Sequence, residues 1–486
     1  MEPFLVSEIV DICKGELLQG WTDSVFKGIG TDSRTVTSGE LFIPLKGEKF
    51  DGHDFINKAF ESGAAGALVG LSPNMKESSG FEDCQDRDHR VYEICQKYKI
   101  CQKYQNRVLI LVNDAQEALG MLAAAYRRKF VIPVVAVTGS VGKTSTKDMI
   151  ASILAGVYRV HKTDGNYNNE IGLPLTIFKM GADTETAVFE MGMSARGEIY
   201  KLSLIAAPTM AVITNIGISH IEKLGSLENI LSAKLEIIDG MDKNGIIILN
   251  GDDTLLSKLK GNLSVKTVFA GTQATNDYRG SDIRLFDDKV EFNITVRDKV
   301  YQAVINIPGA HNVNNALLAF AAGCEVGLDP GLALHGLATF SSGKMRMNIK
   351  KANGFTIIDD TYNASPQSVR AALQVLADME SGRKTAVLGD MLELGSFGPD
   401  EHYIIGKFAA ESAKIDFLIT AGPLSHNTAR GALEAGMAPQ SVFSFDSSSE
   451  AALFAYSFLK HGDMILVKGS RGMEMEKVIE KLTYNA

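Results

Sequence analysis

The chain has 486 residues, 45% hydrophobic and 22% charged, an ordinary globular composition on a chain too long for one core, so roughly three domains are expected. Lys and Arg total 49 against 58 for Asp and Glu, and the resulting net charge of −9 supplies no general field for nucleic acid or an anionic membrane. Glu2, Glu8, Asp11, Lys14 and Glu16 break any apolar signal core, no later run reaches membrane-spanning length, and cysteines 13, 84, 95, 101 and 324 form no CxxC pair, so a reducing, cytoplasmic setting is expected.

In chain order, residues 1–131 carry short strands and turns, with one helix from Asp54 to a stop at Gly63. Within them, residues 71–106 are polar and charge-dense, and Ile94-Cys95-Gln96-Lys97-Tyr98 recurs as Ile100-Cys101-Gln102-Lys103-Tyr104, which reads as a surface insertion with a short duplication. Over residues 132–344, apolar β-rich runs at 134–137, 187–189, 211–214 and 246–249 alternate with helical stretches, the pattern of βαβ units and a parallel sheet. The alternation restarts over 345–486 with runs at 355–358, 385–388, 417–420 and 464–467. The predicted class is therefore α/β in three domains: a smaller N-terminal domain, a central phosphate-loop domain with a parallel sheet, and a C-terminal Rossmann-like domain.

The strongest local signal is Thr138-Gly139-Ser140-Val141-Gly142-Lys143-Thr144-Ser145, which follows a β-branched run and opens a helix. Glycines there let backbone N–H groups approach phosphate oxygens, the helix start favours negative charge, Lys143 reaches the β/γ-phosphates and the Thr144 hydroxyl binds Mg²⁺. The spacing is the shorter GxxGKT form, since Val137 stands where GxxxxGK requires glycine. The chain is thus expected to bind ATP with Mg²⁺.

Several other strands also end on polar corners, where open α/β sheets build sites. Glu190 follows 187–189 and is either a magnesium-side acid or a solvated turn residue. His220 closes Thr214-Asn215-Ile216-Gly217-Ile218-Ser219-His220 and is either a ligand or a structural hydrogen-bonder. Lys234 interrupts the Leu/Ile stripe 227, 230, 231, 238 on a helix, so it must snorkel to water or find a special partner. The amides of His311-Asn312-Val313-Asn314-Asn315, before a helix carrying Ala316 and Phe320, can cap that helix or read a purine edge. Asp359-Asp360-Thr361-Tyr362-Asn363-Ala364-Ser365-Pro366, the 389–395 segment GDMLELG and Lys468-Gly469-Ser470-Arg471 close three more strands along one sheet edge.

Taken in order, GSVGKT, GNYNNEIGLP (165–174), EMGM (190–193), TNIGISH (214–220), the Lys234 helix, HNVNN (311–315), DDTYNASP (359–366), GDMLELG (389–395) and KGSR (468–471) resemble the Mur ligases of peptidoglycan synthesis across nearly the whole chain. Within that family the pattern is most similar to the member that joins D-alanyl-D-alanine to UDP-N-acetylmuramoyl-tripeptide. The resemblance implies an ATP-dependent ligase working through an acyl phosphate, as a monomer. It gives Lys143, Lys234, His220 and Glu190 to catalysis, with Thr144, Glu190, His220 and a carbamylated Lys234 on the metal. Gly139 to Ser145, Asn312, Asn315, Arg346 and Asp360 fall to the nucleotide. Ser33 and Arg34 fall to the UDP end of the substrate, Asn168 and Asn169 are also substrate-binding, and Asn363 faces the incoming dipeptide. The rivals are a sister ligase adding one amino acid, a folylpolyglutamate-synthetase-like ligase, and a phosphate-loop switch that forms no bond. The absence of a DNPR-type acceptor motif disfavours the sister ligase.

Overall fold

Three large β-sheets, each covered by helices on both faces, and a two-stranded ribbon of Phe4–Leu5 with Val25–Phe26 organise the computed structural model, which describes residues 1–47, 49–71, 87–100, 102–380 and 382–484. The first sheet has the order Glu16–Gln19, Val108–Val112, Gly66–Gly70, Glu40–Phe42, Gly28–Gly30, with only the first strand antiparallel. Its inner strands are apolar runs buried on both faces, as parallel strands must be when helices cover each side. The helix Ile56–Glu61 follows the 3₁₀ turn Gly52–Phe55 and stops at Gly63, whose φ of +113° satisfies the left-handed termination predicted there.

The surface insertion expected over 71–106 needs correction. The helix Arg87–Lys97 and the turn after it place Ile94, Tyr98 and Ile100 in the core beneath Phe42, Phe60 and Val69. Tyr98 stacks on His53 at 4.7 Å and Tyr104 packs on Phe60 at 5.1 Å, so both copies of the repeated tyrosine serve as wedges against the first domain. Residues 72–86, including Cys84, lie outside the described residues, as does Cys101; Cys13, Cys95 and Cys324 are unpaired.

The central sheet has nine strands in the order Lys299–Ile305, Val290–Val296, Tyr278–Leu285, Lys266–Gly271, Ile246–Asn250, Met210–Ile213, Val134–Thr138, Thr186–Glu190, Val160–Lys162. Seven run parallel and the last two in sequence form an antiparallel meander with Tyr278–Leu285. The meander escaped the βαβ reading because only one of its faces is buried. Val290, Phe292 and Ile294 alternate inward with part-exposed neighbours, a period of two rather than an unbroken apolar run. Helices Lys143–Ala155, His311–Val326 and Pro330–Thr339 cover one face; Gly172–Phe178, Glu198–Ala206 and Leu227–Leu235 cover the other. The helix at 311 begins earlier than expected, so the HNVNN amides form its first turns instead of preceding it.

The third sheet has the order Asn348–Ala352, Phe355–Asp360, Met464–Lys468, Lys384–Gly389, Phe417–Ala421, Val442–Phe445, parallel except for its first strand. Helices Pro366–Asp378, Gly398–Glu411 and Ser425–Glu434 pack on one face, and Ser448–Phe458 and Glu476–Thr483 on the other. Among the described residues, no helix is long and apolar enough to cross a membrane.

Candidate active site

The phosphate-loop strand Val134–Thr138 lies between Met210–Ile213 and Thr186–Glu190, neighbours reached by crossovers, so its carboxyl end opens at the position where parallel sheets bind ligands. The loop after it is braced by the 214–217 segment. Ser140 N–H donates to Asn215 O (3.1 Å), Val141 N–H to Asn215 Oδ1 (2.9 Å) and Ser140 Oγ to Gly217 O (3.1 Å), while Thr214 Oγ1 donates to Val141 O (2.6 Å). Both loop glycines are required by contact. A Cβ on Gly139 would lie 1.9 Å from Thr214 Oγ1; one on Gly142, at φ +84°, would lie 2.5 Å from Asn315 Oδ1. The helix beginning at Lys143 then points first-turn amides without intrahelical acceptors at the cleft.

Lys143 Nζ curls back over this loop, donating to the carbonyls of Gly139 (2.7 Å) and Ser140 (3.3 Å). Burial lowers its pKa, nearby Glu190 opposes that shift, and Arg346 adds to it. Glu190 is buried and engaged twice: Thr144 Oγ1 donates to Oε2 at 2.7 Å and Asn168 Nδ2 to Oε1 at 2.8 Å. Asn169 instead caps a helix start, accepting from Gly172 N–H at 2.8 Å.

Lys234 does not snorkel. It is 2% exposed, and its pKa falls well below the ordinary lysine value, through burial first and the Lys143 charge second. Burial therefore holds the amine towards its uncharged form. His220 is also held towards its neutral form, by burial chiefly, against the opposing pull of Glu393.

The third domain closes the far wall of a cleft of about 590 Å³, with Asp360, Asn363 and Arg346 facing Ser140 to Ser145, Asn168, Asn169, Glu190, His220, Asn312 and Asn315. Arg346 stacks on Tyr362 at 3.8 Å. Asp360 accepts from Met347 N–H (3.2 Å) and from Lys468 Nζ (2.5 Å), and Lys468 also donates to Asn363 O (2.8 Å). Asn312 and Asn315 are buried and linked, Asn315 Nδ2 donating to Asn312 Oδ1 at 3.1 Å, with Thr146 Oγ1 donating to Asn315 Oδ1 at 3.3 Å.

Ser33 and Arg34 are not part of this cleft. Ser33 is buried in the first domain, its carbonyl accepting from Ser62 Oγ, and Arg34 is exposed and paired with Asp32 at 2.6 Å. His311, Lys468 and Glu393 also line the cleft; each lies in a motif quoted from the sequence, but none was given a role there. Burial pushes the His311 pKa down to about 4, with Asp360 pulling it up and Lys468 pushing it down. Lys468 had a legible signal, a lysine ending the wholly apolar strand run 464–467.

A phosphate loop at the crossover point of one parallel sheet, faced across a cleft by the polar strand ends of another, defines a nucleotide-dependent enzyme that works between two α/β domains. The chain belongs to the Mur ligase family. Three family models match it in succession: "Mur ligase family, catalytic domain" over residues 25–127, "Mur ligase middle domain" over 137–323 and "Mur ligase, glutamate ligase domain" over 345–471. The UDP-N-acetylmuramoyl-tripeptide–D-alanyl-D-alanine ligase of Bacillus subtilis is 41% identical over 481 residues, 98% of each chain. A crystal structure of MurF from Acinetobacter baumannii superposes with a TM-score of 0.86 at 28% identity, covering 99% of both chains. MurF from Thermotoga maritima, solved in complex with ADP, gives 0.77 at 27% identity, covering 94% of this chain and 96% of that one.

Proposed function

We propose that this protein is an ATP-dependent ligase that joins D-alanyl-D-alanine to UDP-N-acetylmuramoyl-tripeptide in the assembly of peptidoglycan precursors. The observation that carries the reading is the 41% identity to a ligase of that name over 98% of both chains. The cleft supplies the chemistry. A carboxylate and an amine do not condense in neutral water, so the tripeptide's terminal carboxylate attacks the γ-phosphorus of ATP, forming a C–O–P bond as ADP leaves. The dipeptide's free amine then attacks the acyl carbon and inorganic phosphate departs.

The chain's own groups meet the electrostatic demands of both steps. First-turn amides at 143–145 and the Lys143 ammonium offset charge on the phosphoryl oxygens, in a cleft where reduced dielectric strengthens each contact. Asn312 and Asn315 present paired amides on the adenine side, and Arg346, Asp360 and Asn363 bring the third domain to the nucleotide and the incoming dipeptide. Ser33 and Arg34 are assigned to the UDP end, Asn168 and Asn169 to the peptide.

The donor set fits Mg²⁺. Thr144 and Glu190 offer hard oxygens beside the phosphate loop, and among the described residues no three His, Cys, Asp or Glu side chains converge into a protein-only cage. That suits an ion usually held by one or two carboxylates together with substrate phosphates. His220 adds a nitrogen, and Lys234 an oxygen anion once carbamylated. When bound, the ion supplies the positive charge that lets two anions approach.

The test combines purified protein, ATP, Mg²⁺, UDP-N-acetylmuramoyl-tripeptide and D-alanyl-D-alanine and identifies the product by mass spectrometry. The pentapeptide is expected, with phosphate release dependent on the dipeptide and both abolished in Lys143→Ala. Phosphate release of equal rate without dipeptide would instead identify a nucleotide switch.

A further inference from the structure

The loop that presents His220 is also the surface on which the third domain rests. A Cβ on Gly217 would lie 1.9 Å from Oε1 of Gln367, so the helix Pro366–Asp378 bears directly on the loop. Ile218 packs against the central core and the third-domain core at once. A Cβ on Gly395 would lie 2.8 Å from Cγ of Glu222. Amid these contacts, Nδ1 of His220 lies 2.8 Å from Oε2 of Glu393.

The segment carrying Glu393 is fixed residue by residue. The Asp390 carboxylate, 2% exposed, accepts from Ser425 N–H and Ser425 Oγ, both at 2.7 Å, at the start of the helix Ser425–Glu434. Met391 N–H donates to His402 Nε2 and Leu392 N–H to Ser470 Oγ, each at 2.9 Å. From this pinned run Glu393 enters the left-handed region at φ +65°, and His220 meets it at φ +63°. Both ends of this interdomain contact are thus non-glycine residues held in the left-handed region.

We propose that Glu393 is a positioning residue that ties closure of the third domain to the aim of His220. Docking brings the carboxylate to Nδ1, which holds the proton there and leaves the Nε2 lone pair for the cleft; undocking removes that partner and frees the ring. The reason for aiming His220 rests on the ligase reading, whereas the contact itself stands without it.

The full-length protein carrying Glu393→Ala tests this, and since that side chain is 65% exposed the substitution leaves the core intact. Loss of an exposed partner of this kind is expected to lower kcat about fivefold with the ATP KM held within about twofold, and Glu393→Gln, which keeps an acceptor, restores most of it. In a His220→Gln background neither change has further effect. Independently of turnover, nitrogen NMR of ring-labelled histidine, assigned by its disappearance in His220→Gln, is expected to show the Nδ1–H tautomer in the natural protein and its loss in Glu393→Ala. An unaltered His220 signal, or an undiminished Glu393→Ala effect without His220, overturns the proposal. Failure of the ligase reading shows separately, as absence of product from the natural protein.

Discussion

At the scale of single residues, Lys234 is the position where structure and chemistry diverge most. Burying an amine costs free energy that a methionine of similar length would not, so the lysine weighs against stability. Under the proposed function the depressed pKa supplies a reason, because CO₂ adds only to the unprotonated amine, and a carbamate there would place a negative charge near the Lys143 cation. Lys234→Met is therefore expected to melt at the same temperature or higher while ligation falls about a hundredfold, the usual scale for losing one charge-stabilising group. With ¹³C-bicarbonate, the natural protein is expected to show a carbamate resonance that the variant lacks; an equal resonance in both would place the adduct elsewhere. The oddity of this residue was legible, since a lysine in a Leu/Ile stripe breaks a pattern. Its burial was not, because the same sequence allows the ammonium to reach water, and only the packing of Leu227–Leu235 against the sheet closes that route. Glu393 and His311 broke no pattern, and their placement depends on a second domain arriving.

Among the elements, strands buried on both faces announced themselves as apolar runs and the phosphate loop by its glycines. Elements with a weaker apolar signal did not. Arg87–Lys97 is dominated by charge, and its few inward residues become core only because a groove beside Phe60 awaits them. The phosphate loop allows a sharper test of why glycine stands at 142. Alanine there incurs the left-handed backbone cost of about 1–2 kcal/mol and also drives Cβ into Asn315 Oδ1, displacing the amide proposed for the adenine side. Gly436, at φ +93° with open space around it, carries the backbone cost alone. Both Gly142→Ala and Gly436→Ala are expected to lose stability in denaturant melts, Gly142→Ala at least as much, but only Gly142→Ala should weaken ATP binding in calorimetry, by at least about tenfold. Equal ATP affinity in the two would show that Asn315 does not depend on the missing Cβ.

On the scale of the whole molecule, the three domains are joined unequally. The third meets the central domain around the cleft, through the loop at 214–224 and a few contacts beside Gly309. The first shares a continuous core with the central domain, where helix Ala115–Arg127 packs on Gly172–Phe178 and Glu198–Ala206. Arg127 lies inside that seam, donating from Nε to Ala206 O (2.9 Å), from Nη1 to Phe130 O (2.6 Å) and from Nη2 to Ala207 O (3.4 Å), so it satisfies carbonyls at a helix end, where positive charge is favoured. Burial lowers its pKa to about 10, which still leaves it charged at neutral pH. Under the proposed function this asymmetry places the UDP substrate between two domains that share one core and the dipeptide on a third that meets them only around the cleft. Arg127→Met fills the space but strands these carbonyls, so it is expected to cost about 2–3 kcal/mol in equilibrium unfolding. Because the damage lies between the first domain and the central one, the KM for the UDP substrate should rise while the KM for ATP stays within about twofold. A matched rise in both would mean that the seam supports the phosphate loop itself, and that the first domain is not held as a separate substrate platform.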